Sequence, residues 1–272
     1  MYTFDEALQT LSALAPLQYA ESWDNVGLLV DPPSDSPKTV GRIGLTIDLT
    51  DGPFEELMAS EVDLIVAYHP PIFSGLKRLS ASEPGARRLM RLIQAGVAVY
   101  SPHTALDAVP GGLNDWLAEG LGAASNVAPI TYAKDPRPEH EYQPVGAGRH
   151  VTLAHPMPLA DLFEPLKRHL GLDYLRVATP DERALVRTAA VCPGAGGSLF
   201  NTLRHPVDLL VTGELRHHDI LAHVARGTSV IVTDHTNTER GFLPTFAQQL
   251  QARLPEAQVI IAESDRDPLS IV

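Results

Sequence analysis

A run of β-branched residues, Ser229-Val230-Ile231-Val232-Thr233, stops at Asp234-His235-Thr236-Asn237-Thr238-Glu239. At helical spacing His235 and Glu239 stand about one turn apart on one face. An imidazole and a carboxylate aimed at the same point make a ligand pair for zinc, manganese, iron or nickel. The same pair also occurs on ordinary solvated helix faces. A second copy weighs against that bland reading: His103-Thr104-Ala105-Leu106-Asp107 repeats the spacing, again after an apolar run, Val97-Ala98-Val99-Tyr100. Open α/β sheets place ligand sites at such C-terminal strand ends.

The strands that would carry these loops echo one another. Val62-Asp63-Leu64-Ile65-Val66 returns as Val207-Asp208-Leu209-Leu210-Val211, 145 positions later. The same offset sets Arg42–Ile47 against Arg187–Cys192. Further on, Gly96–Val99 matches Gly227–Val230, and His103-Thr104 matches His235-Thr236. One strand resembles another by chance, but the same order at a nearly steady offset points to an internal duplication.

Around these strands the chain alternates helical and extended patterns. Helices are expected at 4–14, 53–60, 87–95, 113–119, 159–170, 220–225 and 243–254. Strands are expected at 42–49, 62–67, 97–100, 151–153, 187–192, 207–212, 229–233 and 259–261. Residues 31–38, with Pro32, Pro33 and Pro37, read as a surface loop. The stretch 126–146 is the least structured by composition and places the boundary between halves, giving subdomains at 1–126 and 127–272. The fold class is α/β: two similar α/β subdomains from a duplication, with a metal site in the cleft between them.

Composition narrows the function. Hydrophobic residues make up 44% and charged residues 20%, as in soluble globular proteins. No apolar run is long enough to span a membrane. The first residues lack the basic and apolar regions of a signal peptide. A single cysteine, Cys192, excludes an internal disulfide framework and fits the cytoplasm. The net charge of −12 opposes nucleic-acid and anionic-membrane binding, which need a basic face. A small-molecule substrate stays open, because metal ions reverse the local sign.

Six ordered motifs carry a resemblance to a known family: Ser22-Trp23-Asp24-Asn25-Val26-Gly27-Leu28, Tyr68-His69-Pro70-Pro71-Ile72-Phe73, His103–Asp107, Gly146-Ala147-Gly148-Arg149, Gly213-Glu214 through His217-His218-Asp219, and His235–Glu239. On these the chain resembles the GTP cyclohydrolase 1 type 2 homolog family, also called NIF-three-like. It looks like a short form, without the domain that some members insert mid-chain. The resemblance implies two α/β subdomains, a site for two divalent metal ions and a toroidal homohexamer. It implies His69, Asp107, His235 and Glu239 as ligands, with Glu239 bridging. Many bacterial members have His-His-Pro where this chain has Tyr68-His69-Pro70, a form similar to the eukaryotic branch. Either Tyr68 supplies its phenol, or His103 compensates, or one metal binds weakly. The ions would be zinc, iron, manganese, cobalt or nickel.

Two activities are compatible with such a centre. One is metal-dependent hydrolysis by an activated water, with His217 or His218 moving protons as the catalytic histidines. The other is a non-catalytic metal-binding scaffold. His217, His218 and Asp219 also read as an exposed helix start, and Trp23-Asp24-Asn25 as residues that lock a loop. Gly194, Gly196 and Gly197 either cradle an anion or make a tight turn. Cys192 reads as a core residue.

Overall fold

The structure is a computed structural model that describes residues 1–33, 38–134, 137–140 and 143–271. Residues 34–37 of the expected surface loop, and residues 135, 136, 141 and 142 of the expected junction, lie outside the described residues. In chain order the strands of its two large sheets are β1 (Gly27–Val30), β2 (Arg42–Thr46), β3 (Leu64–Ala67), β4 (Ala98–Ser101), β5 (Ala124–Ala128), β6 (Arg149–Pro158), β7 (Arg176–Ala178), β8 (Leu185–Ala195), β9 (Leu209–Glu214), β10 (Ser229–Val232) and β11 (Gln258–Ile261). The helices are α1 (Phe4–Leu14), α2 (Asp51–Ala59), α3 (Pro84–Ala95), α4 (His103–Ala108), α5 (Leu113–Glu119), α6 (Phe163–Leu170), α7 (Gly197–Phe200), α8 (His217–Ala225) and α9 (Leu243–Arg253). The fold is mixed α/β. No helix among the described residues is long and apolar enough to cross a membrane.

The chain forms two compact units, one of residues 1–106 with 243–272 and the other of residues 107–242. In the first, the sheet order is β11-β2-β3-β4-β1. The strands from β11 to β4 run parallel, and β1 closes the edge antiparallel. Strands buried on both faces read as unbroken apolar runs. Phe54 and Leu57 of α2 and Leu89 and Leu92 of α3 pack on Ile65, Ala67 and Val99 of the sheet. The helix edges follow local chemistry. Thr3 and Glu6 cap α1 reciprocally, and Pro84 starts α3 where its missing N–H costs nothing. Strand β2 stops at Thr46, short of the expected 49, because Asp265 takes the Ile47 N–H (2.5 Å) and the Thr46 hydroxyl (2.9 Å).

In the second unit the order is β7-β10-β9-β8-β6-β5. The trio β8, β9 and β10 is parallel, and the flanking strands are antiparallel. Phe200, Val207, Leu210 and Val230 form its core, with Cys192 half-buried against them. Arg149 is fully buried. Its guanidinium reaches the Asp115 carboxylate and donates to the carbonyls of Gly146 and Gly148 (both 2.8 Å) and Val109 (3.3 Å). A buried cation persists only with its donors met in this way.

The parallel trios β2-β3-β4 and β8-β9-β10 share a detail. Asp63 accepts from the backbone N–H groups of Gly41 (2.7 Å) and Arg42 (2.9 Å). Asp208 accepts from Arg187 (2.8 Å) and Thr188 (2.9 Å). Each aspartate thereby clasps the start of the strand beside its own.

Candidate metal centre

Strand β10 ends at Val232, and Asp234 takes a left-handed φ of 68°. Aspartate tolerates that region better than most residues. Arg176 pairs with its carboxylate and the Tyr174 hydroxyl lies 3.4 Å away, which hold the bend. The chain then makes a single 3-10 turn over Thr236–Thr238 rather than an α-helix. The turn still brings His235 Nε2 to 3.4 Å from Glu239 Oε1. His235 Nδ1 lies 3.5 Å from Glu214 at the end of β9.

Two threonines fix this turn to the sheet. Thr238 donates to the His235 carbonyl (2.7 Å) and accepts from the Gly194 N–H (2.8 Å). Thr212 donates to the Gly194 carbonyl (3.1 Å) and accepts from the Gly196 N–H (3.0 Å). Gly194 has a φ of +61°, and a β-carbon there would lie 2.7 Å from His235 Nε2 and 2.8 Å from Glu239 Oε1. At Gly213 one would lie 2.7 Å from the His235 α-carbon. Spacing along the chain hides these two glycines, since their function is a close approach between strands. The stretch read as a Gly-rich turn is in fact the end of β8 followed by α7.

In the first unit, His69 follows β3. Its N–H bonds to the Ile47 carbonyl (3.0 Å), and Nδ1 lies 3.0 Å from Asp48 Oδ1. A carboxylate on one ring nitrogen fixes the tautomer and leaves the other for a metal, the usual support of a ligating histidine. His103 Nδ1 is held by Asp24 Oδ1 at 2.7 Å. The same carboxylate takes the Thr104 hydroxyl and N–H. Burial works to raise the Asp24 pKa, but the bonds from His103 and Thr104 outweigh it and leave the group below the usual aspartate value. Asn25 donates to the Ile72 carbonyl, so Trp23-Asp24-Asn25 ties the Pro70-Pro71-Ile72 loop to the start of α4. That is the loop-locking reading of these residues.

Each of His69, His235 and Glu239 offers one ligand atom, and these atoms lie within 4.8 Å of one another. Two imidazoles and a carboxylate are a donor set for zinc or another first-row divalent ion. Glu239 is 2% exposed. Burying a carboxylate is costly unless it is paired, and a bound cation would pair it. His103 and Asp107 are not members of that group. The Asp107 carbonyl accepts from Asn114 at 3.0 Å. Tyr68 is buried, with its ring 5.0 Å from that of His69 and 5.3 Å from that of His103. His217 and His218 stand exposed on the first turn of α8, their rings 5.4 Å apart.

Fold and side chains thus define an α/β protein with a histidine–carboxylate cluster able to hold a metal ion. The family model for Duf34/NIF3 (NGG1p interacting factor 3) matches residues 2–268, and the chain belongs to that family. It is 40% identical to the NIF3 homolog of Schizosaccharomyces pombe over 92% of this chain and 91% of that one. It is 37% identical to NGG1-interacting factor 3 of Saccharomyces cerevisiae, over 98% and 96%. A hypothetical protein of Staphylococcus aureus has the same fold, with a TM-score of 0.84 at 22% identity over 99% of both chains.

Proposed function

We propose that the protein is a metal-dependent hydrolase with two divalent ions per chain. The observation that carries this reading is the proximity of His69, His235 and buried Glu239. A bound divalent ion supplies Lewis acidity that lowers the pKa of a water from ~15.7 toward ~7. Glu239, with two carboxylate oxygens, would hold both ions, and Asp107 would help hold the second, together with His103 or the Tyr68 phenol. Asp48 and Glu214 orient His69 and His235 through Nδ1. His217 and His218, exposed at the start of α8, carry protons to and from solvent. The protein acts in the cytoplasm as a homohexamer, and its halves, 1–126 and 127–272, are the products of a duplication, a reading supported by the matching clasps of Asp63 and Asp208.

Glu239→Gln is the direct test. Elemental analysis of protein purified without added metal or chelator should find metal in the wild type and a loss in the variant. Hydrolysis of nucleotides, phosphodiesters or cyclic amidines should disappear with it, and the hexamer should persist. Full metal content in the variant would remove Glu239 from the site. A metal-loaded wild type silent on all of these substrates would favour a non-catalytic scaffold.

A further inference from the structure

A cavity of about 720 Å³ opens in the second unit at the C-terminal ends of β8 and β9, within the usual size of a small-molecule site. It is lined by Arg176, Ser198, Asn201, Glu214, Arg216 and Asp234, among others, and by Asp219. Two of these residues adjoin the metal cluster directly. Glu214 faces His235 Nδ1, and Asp234 is the residue before His235. A molecule in the cavity therefore sits beside a candidate ligand.

The charges on its wall are unevenly committed. Arg176 is paired with Asp234, and Glu214 faces His235. Arg216 and Asp219 remain. They lie at the N-cap and third position of α8 and both line the cavity. Residues three apart on a helix are neighbours close enough to pair. Among the described residues these two form neither an ion pair nor a hydrogen bond with each other. One cation and one anion thus line the same space.

We infer that this cavity is the substrate pocket of the metal centre and takes a zwitterionic group, its anion on Arg216 and its cationic or N–H donor on Asp219. Ser198 and Asn201 supply hydroxyl and amide contacts to the rest of the molecule. The role as substrate pocket rests on the hydrolase reading, but binding in the cavity does not.

Three probes separate the contributions: phosphoethanolamine, inorganic phosphate and ethanolamine, titrated calorimetrically into the full chain as purified and after chelation. Phosphoethanolamine should bind at least tenfold more tightly than either fragment, before and after chelation. Arg216→Ala should cost at least tenfold of that affinity, and Asp219→Asn should reduce it to that of phosphate. Metal content should match the wild type in both variants. Equal binding of the three probes, no binding of any, or indifference to both substitutions would overturn the assignment. Binding that vanishes on chelation while the variants change nothing would place the probes on the metal, sinking the pocket and sparing the centre. The expected variant effects alongside a Glu239→Gln protein that keeps its metal would do the reverse.

Discussion

The backbone of Gly194 lies so close to His235 that a β-carbon at position 194 would come within 2.7 Å of Nε2. The same atom would meet Glu239 Oε1 at 2.8 Å, and the φ of +61° is itself unfavourable for any residue with a side chain. One methyl group therefore challenges both candidate ligands and the strand end at once.

Gly194→Ala should lower metal affinity at least tenfold, as expected when a ligand's support is displaced. It should also destabilise the fold by more than ~1 kcal/mol through the positive φ. Metal titration together with thermal unfolding of the metal-free protein separates the two effects. Unchanged metal affinity would show that His235 and Glu239 do not ligate from their present positions.

Of the candidate site, the pairing of His235 with Glu239 is legible in the sequence, whereas its approach to His69 is not. The i, i+4 spacing of His235 and Glu239 survives in a 3-10 turn because Thr238 and the Asp234 bend hold it. The central strands announced themselves because burial on both faces makes them continuous apolar runs. Strand β5 did not, since its first three residues are exposed and carry no apolar pattern. The partner of β11 was equally hidden. Val259–Ile261 reads as a strand, but its pairing with β2 joins residues more than two hundred positions apart. The long reach of β6 past Leu153 escapes for another reason: its register shifts between Thr152 and Met157, and Pro156 interrupts the alternation.

Arg149 shows how a charged residue misleads. In the sequence it is the polar end of a glycine-rich motif, and in the fold it is fully buried against Asp115 and three carbonyls. Arg149→Ala removes the cationic partner of Asp115, which keeps the Gly111 N–H (2.7 Å), and leaves those carbonyls short of donors, at a cost of about 3–5 kcal/mol. Chemical denaturation of the metal-free protein measures it. A loss below ~1 kcal/mol would mean that water replaces the guanidinium.

The clasps of Asp63 and Asp208 predict matched local effects. Each carboxylate holds two backbone N–H groups, and hydrogen bonds to charged groups contribute about 1.5–3 kcal/mol, less where solvent has access. Asp63→Ala should speed hydrogen exchange at Arg42, and Asp208→Ala at Thr188, each by roughly tenfold, with little effect at the other pair. Exchange that rises at both pairs in either variant would indicate global loosening and remove the local interpretation.

His169 supplies a pH dependence that involves no candidate ligand. Its ring lies 4.4 Å from that of Trp116, and Nε2 is 2.7 Å from the Trp116 carbonyl, to which it donates. Burial lowers its pKa below the usual 6.5, against the opposing effects of the Trp116 carbonyl and Glu119. The unfolded chain then binds this proton more readily than the folded one, so stability rises with pH across the interval between the two values. The thermal midpoint of the metal-free protein should therefore drop between pH 7.5 and about 5.5. His169→Gln keeps a donor for the Trp116 carbonyl without the titration, so its drop should be smaller. His223, also lowered by burial and by Arg226, adds a second contribution of the same sign that both proteins share. Identical drops in the wild type and the variant would show that His169 titrates as it does in the unfolded chain.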